Sequence, residues 1–85
     1  MNIVQKVEEL IKQTIVDNNY ILEKVEYVKE GSIYFLRVII GKNGDITVED
    51  CVTVSNLINP ILDENDIIEE NYILDVCSKG EEDYE

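Results

Sequence analysis

At 85 residues the chain supports one domain and a modest core, because a chain of this size buries only about 60–70% of the surface its unfolded form exposes. Hydrophobic residues make up 45% and charged residues 31%, which excludes a disordered chain, and no run approaches the ~18 apolar residues of a membrane span. Nineteen acidic against seven basic side chains give a net charge of −12, a field that repels phosphate backbones and anionic lipid and draws basic partners.

Ile3, Val7, Leu10, Ile11 and Ile15 recur at three- and four-residue spacing, with Glu8, Glu9, Lys12 and Gln13 between them. That pattern predicts an amphipathic helix from about Asn2 to Asp17, stopped by Asp17 to Asn19, since Asn accepts the left-handed backbone that ends helices. In the next segment Tyr20 and Leu22 share one strand phase, Val25 and Tyr27 the opposite one. One bulge near Glu23 or Lys24 reconciles them. Glu30, Gly31 and Ser32 read as a hairpin turn. Ile33 to Ile40, rich in β-branched and aromatic residues, reads as the second strand, closed by the Asn43-Gly44 turn signal.

Thr47 can cap a second helix, with Asp50 three residues later completing a capping box. Cys51, Val54, Ser55, Ile58 and Leu62 form its apolar stripe, and Pro60 is expected either to kink it or to end it before Asn59. An acidic connector, Asp63 to Asn71, leads to a third strand, Tyr72 to Ser78. Residues 79–85 read as an acidic, flexible tail behind a domain of residues 1–78. The expected fold is α+β: a two-layer α/β sandwich in the order α-β-β-α-β, with a three-stranded sheet and two helices on one face. The third strand is expected beside the first, antiparallel, with the hairpin partner outside.

Several short patterns are set aside. Gly41 to Gly44 spells Gly-x-x-Gly, which in KH domains clamps a nucleic-acid backbone between two helices. Here the pair follows a strand, and Lys42 faces Asp45, Glu49 and Asp50, so a strand-to-helix turn is the better reading. An EF-hand reading of the Asp63 connector fails because Ile67 and Ile68 stand where an oxygen ligand and a glycine are needed. Two cysteines, Cys51 and Cys77, without any histidine do not make a zinc site, and both read as buried, inert thiols. Cys51 in a helix's first turn would have its thiolate stabilised, but Glu49 and Asp50 stand beside it. The N-terminus carries acidic groups inside its apolar pattern, unlike a signal peptide, so the cytoplasm is the expected compartment. No nucleophile–base pair, cofactor motif or metal-ligand set is apparent, and no enzymatic role is expected.

The ordered set of motifs resembles the N-terminal domain of the ribosome maturation factor RimP family over essentially Met1 to Ser78. That family shows a Tyr-x-Leu-x-x-Val-Glu-Tyr start, matched by Tyr20, Leu22, Val25, Glu26 and Tyr27. Its Leu-Arg-Val-x-Ile strand is matched by Leu36, Arg37, Val38 and Ile40. Its Gly-x-Ile-Thr-x-x-Asp-Cys segment is matched by Gly44, Ile46, Thr47, Asp50 and Cys51. Ser55, Leu62, Asp63, Tyr72, Leu74 and Val76 match further on.

The resemblance implies a non-enzymatic assembly factor for the small ribosomal subunit, one that assists docking of a basic ribosomal protein. It also implies a two-layer sandwich, in agreement with the pattern reading. The sequence departs from the family after its third strand, where the family continues Ser-Ser-Pro-Gly-x-Asp-Arg-Pro-Leu into a barrel-like second domain. Here Lys79 replaces the proline and the arginine is lost by Glu85, which suggests either a domain cut from a longer protein or a truncated relative.

If Leu36, Val38 and Ile40 face the helices, then Ile33, Phe35, Arg37 and Ile39 face away, joined by Glu26 and Val28 and by Ile73, Asp75 and Cys77. Phe35, Ile39 and Ile73 would form an apolar patch set among Glu26, Arg37 and Asp75. A solvated sheet face should be more polar, so this face is a candidate docking surface for a second domain, a second copy or a ribosomal partner. The acidic residues Asp63, Glu64, Asp66, Glu69 and Glu70 are candidates to steer a basic ribosomal protein. Direct RNA contact is left open, and the alternative function is a structural or dimerising domain that associates through its open sheet face.

Overall fold

The computed structural model describes residues 2–79. Helix α1 (Ile3–Asp17) is followed by the hairpin β1 (Ile21–Glu30) and β2 (Ile33–Gly41), helix α2 (Val48–Asn65) and strand β3 (Tyr72–Ser78). The expected element order therefore holds. Asn2 opens α1 with a capping box: its side chain accepts from the Gln5 N–H at 2.9 Å, and Gln5 Oε1 accepts from the Asn2 N–H at 3.2 Å. Asn19, at φ 69°, supplies the left-handed residue just past the helix. Gly31, at φ 64°, supplies the positive φ of the two-residue hairpin turn.

The register between β1 and β2 shifts between Leu22 and Lys24, so Glu23 is the expected bulge. It returns Leu22, Val25 and Tyr27 to the side on which the helices lie, where all three join the core. Both helices pack on that side. Val7, Ile11 and Ile15 of α1 and Cys51, Val54, Ile58 and Leu62 of α2 close over Val25, Leu36, Val38 and Ile40. A fully buried aliphatic side chain contributes about 1.5–3 kcal/mol of transfer free energy, so this shared layer is the main source of stability.

The strand order is corrected. It is β1-β2-β3, with β3 parallel to β2 and not antiparallel beside β1. The 18-residue α2 carries the chain back along the sheet before β3 begins, which makes β2-α2-β3 a crossover unit and β3 parallel to its predecessor. β2 is the central strand, and its near-continuous apolar run, Tyr34 to Ile40 broken only by Arg37, belongs there. β1, with Glu23, Lys24, Glu26, Lys29 and Glu30, has the composition of an edge.

Helix α2 starts as expected, with Thr47 and Asp50 exchanging both capping-box hydrogen bonds. It does not stop before Asn59. Pro60 lies inside it and the helix runs on to Asn65. Pro60 and Asn56, one turn earlier, are both exposed, so the carbonyl that loses its donor lies on the solvent side. Asp66 then ends the helix in the left-handed conformation, at φ 45°. The connector beyond it is shorter and less polar than expected, because Ile68 is buried in the core and Ile67 packs against it. The tail expected at 79–85 lies, apart from Lys79, outside the described residues.

Candidate protein-binding surface

β2 presents Phe35, Arg37 and Ile39 on the sheet side opposite the helices. The register aligns Glu26, Arg37 and Asp75 across all three strands. Arg37 Nε lies 3.3 Å from Asp75 Oδ2, Arg37 Nη1 lies 3.8 Å from Glu26 Oε1, and Lys24 Nζ lies 3.2 Å from Glu26 Oε2. Hydrogen bonding to Asp75, above all, raises the Arg37 pKa further. Two cations and two carboxylates thus pair on this face, and Glu30 at its hairpin end adds a further negative charge that Arg37 feels, while the chain as a whole carries −12.

The expected patch is only partly exposed. Ile73 is 49% exposed, Phe35 is half-buried and Ile39 is fully buried at 0%. Ile39 therefore offers no surface to a partner, although it lies outside the cluster that the helices cover. Ile33, which the sequence reading placed on this face, is 47% exposed and extends the patch toward the hairpin. Cys77, expected to be buried, is half-buried here, whereas Cys51 is buried on the inner face of α2.

Glu69 and Glu70 belong to a different surface. They are exposed in the α2–β3 connector and line a groove with Asp63, Asp66, Asn59 and Tyr72 on the helix side of the sheet. The candidate residues thus fall on two opposite sides, five on the open sheet face and two at this acidic end. Glu64 is exposed on the last turn of α2 nearby in sequence. Tyr27 donates its hydroxyl to Glu70 Oε1 at 3.1 Å and stacks on Tyr34, with ring centroids 5.2 Å apart. Lys29 Nζ lies 5.4 Å from the centre of the Tyr34 ring. Burial, aided by Glu70, pushes the Tyr27 hydroxyl up to about 12. Burial also raises Tyr72, and the negative charges of Asp63 and Asp66 raise it further. This aromatic floor beneath the carboxylates was missed in the sequence. Its signal was there in the hairpin phase, which makes Tyr27 and Tyr34 diagonal neighbours.

The Gly41–Gly44 turn has no charge to spare for a phosphate. Lys42 Nζ lies 2.8 Å from Asp50 Oδ2, and Tyr20 donates to Asp50 Oδ1 at 2.8 Å. Asp50 is a hub that ties the end of β2, the start of β1 and the first turn of α2 together. Lys42 first, then the Thr47 N–H and the Tyr20 hydroxyl, hold its carboxyl well below the usual carboxylate range. Among the described residues no group of three His, Cys, Asp or Glu side chains converges to hold a metal ion, and no helix is long and apolar enough to cross a membrane.

The fold and its surfaces define a small α+β module with a covered core, an ion-paired sheet face and an acidic end. Residues 10–82 match the family model described as the RimP N-terminal domain, and the chain belongs to that family. It is a family of ribosome maturation factors that act in assembly of the small ribosomal subunit.

Proposed function

We propose that this chain is a non-enzymatic binding module of small-subunit assembly, and that its acidic end engages a basic ribosomal protein. The observation that carries this reading is the set of exposed carboxylates, Asp63, Asp66, Glu69 and Glu70, around one groove of a family member with a net charge of −12. The same field disfavours a bare RNA backbone, and Lys42, the cation of the glycine turn, is occupied by Asp50. The test is a pull-down from cell extract followed by affinity measurements at rising salt. Small-subunit proteins should be retained, and their affinity should weaken roughly tenfold or more as salt screens the field. Retention of no ribosomal component, or an affinity indifferent to salt, overturns the reading.

A second reading is favoured by Ile33 and Ile73, 47% and 49% exposed on either side of Phe35: the open face docks a further domain or a second copy. Light scattering over a range of concentrations, on the wild type and on a Phe35→Ser, Ile73→Ser variant, separates the two. Self-association abolished by the substitutions supports docking between copies, and a monomer at every concentration removes it.

A further inference from the structure

The two edges of the sheet are treated differently. β1 carries five charged residues and a bulge, the usual protections of an exposed edge. Among the described residues the only strand β3, Tyr72–Ser78, pairs with is β2, and β3 contains no lysine, arginine, proline or bulge. Its one charge, Asp75, is turned inward across the sheet to Arg37.

Apolar surface flanks this outer edge on both sides. On the helix side α2 overhangs it, and Val48 and Val52, one helical turn apart, are 73% and 54% exposed, the two most exposed large apolar side chains among those described. They line a groove of about 290 Å³ whose other wall is Leu74 and Val76. On the far side Ile73 is 49% exposed. A row of backbone donors and acceptors between two apolar strips suits an extended chain: the backbone pairs, and alternate side chains drop into the groove. No lysine or arginine lines the groove, and Glu49 is exposed next to Val48. A second copy would bring a further −12 to this edge, whereas a cationic segment is drawn to it.

We propose that the outer edge of β3, beneath Val48 and Val52, accepts an extended cationic segment of a basic ribosomal protein as a fourth strand. This rests on the proposed binding of such a protein and adds where and how it is held.

The test uses the full chain, with total protein stripped from small ribosomal subunits as the probe, and reads backbone amide exchange. Amides within Tyr72–Val76 should exchange roughly tenfold more slowly or better in the complex. Val52→Lys should weaken binding by about tenfold. Val16→Lys should not; it makes the same charge change at a 49% exposed site on α1. Both sites are exposed, so both variants should fold, and the exchange measurement on the wild type needs neither. Binding without slower exchange in β3, or equal affinity of the two variants, overturns the inference and leaves the proposed function standing. No binding at all overturns both. Slower exchange that appears with rising concentration of the chain alone makes the occupant a second copy and overturns the cationic segment.

Discussion

Leu36, Val38 and Ile40 point to one side of β2, and Phe35, Arg37 and Ile39 to the other. The first three are fully buried beneath two helices. On the second side only Ile39 is as deeply buried, and the rest is a row of ion pairs beside half-exposed apolar groups. The difference teaches where the stability of this small domain resides. One side excludes water over a continuous area, and the other pairs most of its charges and leaves apolar surface available.

The largest effect that can break this comparison comes from cutting both sides of β2 in the same way. Leu36→Ala should cost about 2–5 kcal/mol, because two helices fix the walls of the cavity it leaves. Ile39→Ala should fall at the low end of that range or below it, because neither α1 nor α2 closes over that side and the neighbours can settle inward. Urea unfolding of the two variants checks this. Equal losses would mean that the open face is a second core.

A smaller effect tests the Asp50 hub that pins α2 to the covered side. Its carboxyl is held below the ordinary range, so its contribution is complete above the unfolded value near about 4 and fades as the pH falls toward the lowered one. The urea midpoint of the wild type should therefore drop further between about pH 6 and about pH 2.5 than that of Asp50→Asn. Equal drops would show that Lys42, Thr47 and Tyr20 do not hold this charge in solution.

The covered side was legible residue by residue, because a 3.6-residue stripe facing a two-residue alternation leaves few ways to bury both. The bulge at Glu23, the Thr47–Asp50 box and the limits of β3 followed from local chemistry in the same way. Strand order was not read correctly, although the apolar run of β2 and the charges of β1 marked centre and edge. The run through Pro60 and the burial of Ile68 depend on tertiary packing, which no local rule reports. Of the candidate site, the Glu26, Arg37 and Asp75 row was visible from strand phase. The depth of Ile39 was not, and neither was the groove that gathers Glu69 and Glu70 with Asn59 and Tyr72, because both follow from how the crossover places β3 and its connector.

The smallest expected effect is the sharpest test of the open face. Arg37→Met removes the centre of the charge row and keeps much of the stem that packs along the sheet. The side chain of Arg37 is 29% exposed, as is that of Glu26, and that of Asp75 is 45% exposed. Water therefore reaches both carboxylates once the guanidinium is gone, and Lys24 still stands 3.2 Å from Glu26. Pairs with this access are worth about 0–1 kcal/mol and are screened by salt. The loss should stay within about 1 kcal/mol and shrink further in ~1 M salt. A loss near the ~3–5 kcal/mol of a broken buried pair would mean that the row is sealed from water, and the face would then be an interior surface with nothing to offer a partner.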